Sequence, residues 1–294
     1  MPLPAKILHR LSDPVFYRKR GRDLLRRFRS FDDHPKIESV DELGDVKKVV
    51  VVVAHPDDET FCSGLICEFR DRGIQVQLLC LTRGEGGPTG GASREELGLI
   101  RAAEMEQACR SLGIESLVFL DHVDPIGGKY RVFAPDVSAA RLGEQIAPLV
   151  QDADLILSHG SNGEYWHPGH LLVHAAIYEL LKDRPGDEGP CWMCFLARDS
   201  EYPIPRLVNW DDPVYLRIDT SAHSVRRALA LEHHSSQLGL FGRFARGDYH
   251  DFIRKTAIES YSLMRRGALQ IPKSGDESEC EGNHGCHADG EVPE

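Results

Sequence analysis

Val49 to Val53 is an unbroken run of five valines, and no other stretch constrains the fold of this chain as strongly. β-Branched side chains stiffen an extended backbone and pack well on a pleated surface. A run without polar alternation has no face to offer to water, so it belongs inside a parallel sheet covered on both sides. The chain leaves this strand through Ala54-His55-Pro56-Asp57-Asp58-Glu59, which supplies one imidazole and three carboxylates within five residues. In open α/β sheets, ligands bind in the crevice at the carboxyl ends of the strands. The pattern points to a metal-assisted active site.

Strand and helix signals alternate from there on. Phe61, Leu65, Ile66 and Phe69 share a helix face that Gly73 ends, and Gln75 to Thr82 reads as a second strand. Arg83 to Gly91 is a loop by composition, and Ser93 caps a helix to about Leu112 with Leu97, Ile100, Ala108 and Leu112 facing inward. A short strand at Leu117–Leu120 follows, then a helix from Asp136 to Val150 broken near Pro148, and a strand at Leu155–Ser158. A helix runs from about Pro168 to Leu181. Beyond Arg184 the pattern loosens into edge strands at Trp192–Leu196 and Val214–Ile218 and a helix over Ala222–Leu238. The fold class is α/β, a doubly wound, mostly parallel sheet. The chain divides into a basic arm (1–46), a catalytic domain (47–265) and an acidic tail (266–294) expected to be disordered.

Charge limits the partners. Residues 1–30 hold nine Lys/Arg against Asp13 and Asp23, a net of +7, which leaves −18 for the remainder of a chain whose total is −11. A body so acidic does not bind nucleic acid over a broad face. The arm could lie on anionic lipid or pack on its own domain or a partner subunit, and a homo-oligomer stays open. No apolar run is long enough to span a bilayer or to act as a secretory signal, so a cytoplasmic location is expected, with membrane association only through the arm. The eight cysteines lack the regular spacing of a disulfide scaffold, and Cys62, Cys67, Cys80 and Cys109 read as buried thiols.

A second polar cluster, Ser158-His159-Gly160-Ser161-Asn162-Gly163-Glu164-Tyr165-Trp166-His167-Pro168-Gly169-His170, also follows a buried strand. Both clusters should open on one crevice. Imidazole with carboxylate suits zinc, and a catalytic site takes three protein ligands and leaves one position free. His55, Asp58 and one later histidine would complete it, with Asp57 left over as a base. Spacing alone leaves His167, His170 and His174 as candidates for the third ligand.

Together, His55-Pro56-Asp57-Asp58-Glu59 and His167-Pro168-Gly169-His170 resemble the PIG-L/LmbE family of zinc-dependent de-N-acetylases. Leu81-Thr82-Arg83-Gly84-Glu85-Gly86-Gly87, Arg101-x-x-Glu104, Gly163-Glu164-Tyr165 and His234-Ser235-Ser236-Gln237 agree with it. The resemblance covers roughly residues 47–265 and implies a Rossmann-like fold and removal of the acetyl group from an N-acetylglucosamine conjugate. It implies one zinc ion per chain on His55, Asp58 and His170, with Asp57 as general base. His167 would support the tetrahedral intermediate or protonate the leaving amine, and Tyr165 would reach the developing oxyanion. Many members carry aspartate just before the final histidine, where this chain has Gly169.

Two other readings compete. A metal-dependent phosphoesterase also draws on Asp and His but would more commonly need two metals. A non-catalytic sugar- or metal-binding homologue would have no use for a spare carboxylate beside Asp58. The glycines of residues 84–91 do not make a dinucleotide fingerprint, and Asp121, His122 and Asp124 could border the pocket. Cys280, His284, Cys286 and His287 fit no closed zinc motif.

Overall fold

The computed structural model describes Gly21 and residues 33–87, 90–126 and 133–272. The basic arm up to residue 32, Gly21 apart, and the tail from 273 with its cysteines and histidines lie outside the described residues. Seven strands form one sheet in the order β3-β2-β1-β4-β5-β7-β6. They are β1 (Lys48–Val53), β2 (Gln75–Thr82), β3 (Ser116–His122), β4 (Leu155–Ser158), β5 (Cys191–Phe195), β6 (Leu216–Asp219) and β7 (Ile258–Arg265). The first five pair in parallel, while β7 runs antiparallel to both β5 and β6.

The valine run explains why the sheet has two cores. Side chains alternate across a strand, so Val49, Val51 and Val53 enter one core with Leu65, Phe69 and Met105. Val50 and Val52 enter the other with Leu142, Val173 and Ile177. Helices α1 (Ser63–Asp71), α2 (Arg94–Leu112) and α5 (Ser224–His233) cover the first face; α3 (Ala139–Ile146) and α4 (Pro168–Leu181) cover the second. The chain winds outward from β1 through β2 and β3, then returns to β4 on the other side of β1. Val52 pairs with Ser158, so the residues after β1 and after β4 emerge side by side at this switch point.

Several expectations change. Trp192–Leu196 supplies β5, an interior strand, because β7 covers its outer edge. β7 escapes pattern reading because Glu259, Ser260 and Ser262 are buried in it. The Glu259 carboxylate accepts the amides of Gly64 and Leu65 at 2.8 Å each, satisfying the open start of α1. The helix expected over Ala222–Leu238 is two, α5 and α6 (Leu238–Ala245), followed by α7 (Tyr249–Lys255). On α2, Ile100 is exposed, and Arg101 and Glu104 take the inward face instead. Past α3 the chain tightens into a 3-10 turn, Ala147–Leu149, at Pro148. Packing also carries the body beyond 47–265: Ile37, Val40, Leu43 and Ile271 are core residues. No helix among the described residues is long and apolar enough to cross a membrane.

Candidate active site

The loop after β1 is locked by its own carboxylates. Asp58 Oδ2 accepts the His55 amide at 2.8 Å and lies 3.2 Å from His55 Nδ1. Glu59 Oε2 accepts the Asp57 amide at 3.1 Å, and the other Glu59 oxygen meets His234 Nε2. Between them Asp57 is held at φ 102°, a left-handed conformation that strains any residue with a Cβ. Its side chain meets Arg101 from α2, whose Nη2 lies 3.2 Å away. Burial raises the Asp57 pKa and Asp58 adds to the rise, while Arg101 opposes it; the result is about 7.

The loop after β4 is organised by Glu164, itself at φ 57°. Glu164 Oε2 lies 2.9 Å from His159 Nδ1 and hydrogen-bonds His170 Nδ1 as well. Asn209 and the Gly160 amide hold its second oxygen at 3.1 Å. With both Nδ1 positions on Glu164, His170 Nε2 faces Asp58 at 3.3 Å, while His159 Nε2, 3.5 Å from Asp58, accepts the Ala54 amide at 3.1 Å. A carboxylate behind a histidine fixes the tautomer that a metal site requires. Burial opposes charge on His159, but Glu164 and Asp58 outweigh it and lift its pKa to about 9. His167 goes the other way: burial, His55 and His170 hold it far below the usual imidazole range.

Two donor sets result, His55 with His167 and His170, and Asp58 with His159 and His170; within each set the ligand atoms lie within 4.8 Å of one another. The Nε2 atoms of His55 and His170 are buried without a hydrogen-bond partner, which is costly unless something else satisfies them. The residues fit a divalent cation. His174 turns elsewhere: its Nδ1 lies 3.1 Å from the His159 carbonyl oxygen, and its ring packs on Trp192 at 4.9 Å. Tyr165 stands at the crevice mouth, its ring centroid 5.3 Å from that of His170.

Three contributors were not assigned roles by sequence reasoning. His159 and Glu164 stand in the second cluster as quoted residues only. Arg101, with Glu104, interrupts the apolar spacing of α2 and belongs to a motif shared with the family, and those were the available signals. Asp124, expected to be able to border the pocket, lines it, with Oδ1 within 3.6 Å of His55 Nε2. Gly169 has a steric reason: a Cβ there would meet His55 Cε1 at 3.0 Å and Nε2 at 3.1 Å. Gln237 and Leu240 close the crevice from the start of α6.

Comparison with known proteins follows the same lines. A family model described as PIG-L, GlcNAc-PI de-N-acetylase, matches residues 50–181. A 1D-myo-inositol 2-acetamido-2-deoxy-alpha-D-glucopyranoside deacetylase of Thermomonospora curvata is 27% identical over 241 residues, covering 65% of this chain and 81% of the relative. A probable N-acetyl-alpha-D-glucosaminyl L-malate deacetylase 2 of Bacillus subtilis is 31% identical over 159 residues, covering 52% and 69%. Among solved structures, N,N'-diacetylchitobiose deacetylase from Pyrococcus horikoshii matches with a TM-score of 0.53 at 18% identity, over 87% of this chain and 95% of that one, a likeness of fold.

Proposed function

We propose, from the premise that this chain belongs to the PIG-L family of de-N-acetylases, a hydrolase that removes the N-acetyl group of an N-acetylglucosamine-type conjugate. The products are acetate and a free amino sugar. The observation that carries the reading is Glu164 orienting His170 so that its unpartnered Nε2 faces Asp58, beside a strained, protonatable Asp57. The site is metal-dependent, and the ion we assign is zinc, one per chain, on His55, Asp58 and His170, a triad that is neither donor set itself but takes His55 from one, Asp58 from the other and His170 from both. When bound, the ion supplies Lewis-acid activation of water and polarisation of the amide carbonyl.

The remaining steps belong to the chain. Asp57, with a pKa near 7, accepts a proton from the attacking water and returns it to the amine nitrogen as the C–N bond breaks. A group poised near the working pH serves both transfers. His167, held neutral, is suited to donate a hydrogen bond to the oxygen that gains charge rather than to act as a cationic acid. Tyr165 offers a phenol to the same oxygen. A two-metal phosphoesterase needs enough ligands to hold two ions at once, whereas both donor sets here draw on the single free nitrogen of His170.

The test is amine release from N-acetylglucosamine conjugates by protein depleted of metal and then reloaded. Activity that disappears with a chelator and returns with about one equivalent of zinc supports the proposal. Phosphate release from a phosphoester, or full amidase activity without metal, overturns it.

A further inference from the structure

A second cavity, of about 580 Å³, opens against the far end of α6, with Arg206, Trp210, Phe244, Arg246 and Lys255 in its wall. Clustered cations are unexpected in a body that carries −18 outside residues 1–30. Arg206 places its guanidinium 4.7 Å from the Phe244 ring centroid and donates to the Arg243 carbonyl. Lys255 Nζ donates to the Ala245 carbonyl at 2.5 Å. Capping the carbonyls at a helix C-terminus is an ordinary task for cations. It uses one of five donors on Arg206 and one of three on Lys255.

Arg246 is not explained by that task. It caps α6 at φ 57°, ψ 42°, the left-handed geometry in which glycine is the unstrained choice. The chain keeps an exposed arginine there instead. The charges acting on Arg206 are Arg246 and Arg243, both of its own sign, and with burial they push its pKa down. Asp251, which feels Lys255, is itself paired with Arg254. This is a cationic field in want of an anion.

Helix α6 connects this cavity to the catalytic crevice. Leu240 lines the crevice and Phe244 the cavity, four residues apart and hence about 6 Å along one helix face. The Phe244 ring centroid lies 5.7 Å from that of Tyr165. A group that leaves the crevice past Leu240 meets Phe244 about one helical turn further along α6.

We propose that this cavity is the aglycone subsite and that it selects conjugates whose aglycone bears an anionic group, a carboxylate or a phosphate. The proposal rests on the deacetylase reading above. Guanidinium forks match both anions in geometry, and Phe244 and Trp210 supply apolar walls for the linking atoms.

The experiment uses zinc-loaded enzyme and three N-acetylglucosaminides, with a neutral methyl, a carboxylated and a phosphorylated aglycone, scored by kcat/KM for amine release. The wild type is expected to prefer one of the charged conjugates, and which one identifies the anion. In Arg206→Gln/Arg246→Gly the charged-to-neutral ratio should fall about tenfold, through KM, as expected for lost charge-assisted hydrogen bonds. Arg246→Gly alone relieves the left-handed strain, so it should hold or raise the Tm while lowering the ratio, which separates lost recognition from lost folding. An equal ratio in wild type and double variant, or no preference in the wild type, overturns the subsite. Failure of all three conjugates to release amine overturns the deacetylase reading and the subsite with it.

Discussion

Arg101 Nη2 lies 3.2 Å from Asp57 Oδ2 with both side chains buried, and the same guanidinium donates to the carbonyls of Pro56 at 2.6 Å and Gly84 at 2.9 Å. One side chain thus sets the position of the base, the loop that carries it and the loop after β2. A neighbouring cation favours the charged form of a carboxylate, so removing it raises the Asp57 pKa. The base is then protonated over more of the pH range. Arg101→Met should move the acid limb of the pH–rate profile to higher pH and lower the rate at pH 7 by about tenfold or more. Arg101→Lys should restore part of the profile. An acid limb that stays in place in Arg101→Met refutes the coupling.

Asp57 and Asp58 are neighbours in sequence with separate tasks. Asp58 closes the turn on His55 and faces His159 and His170, whereas Asp57 faces Arg101. Asparagine tolerates positive φ well, so Asp57→Asn should fold and retain metal while losing about 10²–10⁴-fold in rate. Asp58→Asn should lose metal and rate together. Metal analysis of both variants decides, and the reverse pattern exchanges the roles.

Glu164 touches no substrate in this scheme, yet it orients two imidazoles at once. Glutamine in its place cannot accept from both Nδ1–H groups through one oxygen while keeping its bonds to Gly160 and Asn209. Glu164→Gln should weaken zinc binding by about 10–100-fold, read by titration against a chelating dye. Wild-type affinity in the variant would remove Glu164 from the orienting role.

The six described cysteines are all buried, and burial pushes the thiol pKa of Cys62, Cys67, Cys80, Cys109, Cys191 and Cys194 upward. The thiolate is the reactive form. In a Cys280→Ser/Cys286→Ser background, iodoacetamide at pH 8 should label folded protein negligibly and denatured protein at six positions. Rapid labelling of the folded variant would contradict the packing described.

The half of the fold that positions the site was legible because its strands are uniform. Val49–Val53 and Leu155–Ser158 have no polar residue to confuse them before Ser158, and the capping serine and terminal glycine of α2 mark its ends. The second half was obscured where polar side chains serve the interior. Glu259, Ser260 and Ser262 hide β7, and α5 and α6 break where Ser235 and Ser236 bind Glu104 and His234 binds Glu59. Within the site, His55, Asp58 and the later histidines stood out as metal candidates by type, while spacing left the third ligand open and His159 drew no assignment. Arg101 was legible only as part of a family motif and Asp124 only as a residue that could border the pocket, since each is a single charged residue whose contact with the first loop depends on tertiary approach.

The histidines after β4 offer the sharpest discrimination, because four of them lie within sixteen residues and the structure separates their surroundings. His170 has a buried Nε2 without a partner and belongs to both donor sets. His167, at the start of α4, turns its Nδ1 to the Gly169 amide at 3.3 Å and packs edge-on against His55 at 4.6 Å. His174 lies one turn deeper in α4 against Trp192 and the His159 carbonyl. His170→Ala should therefore abolish stoichiometric zinc. His167→Ala should keep zinc and lose about 10²–10³-fold in kcat, the scale of a missing oxyanion donor. His174→Ala should keep both, at a stability loss of about 1 kcal/mol for the hydrogen bond removed. Zinc content and kcat measured on the three variants give three distinct outcomes. Loss of zinc in His174→Ala with retention in His170→Ala would place the ion outside the cage described.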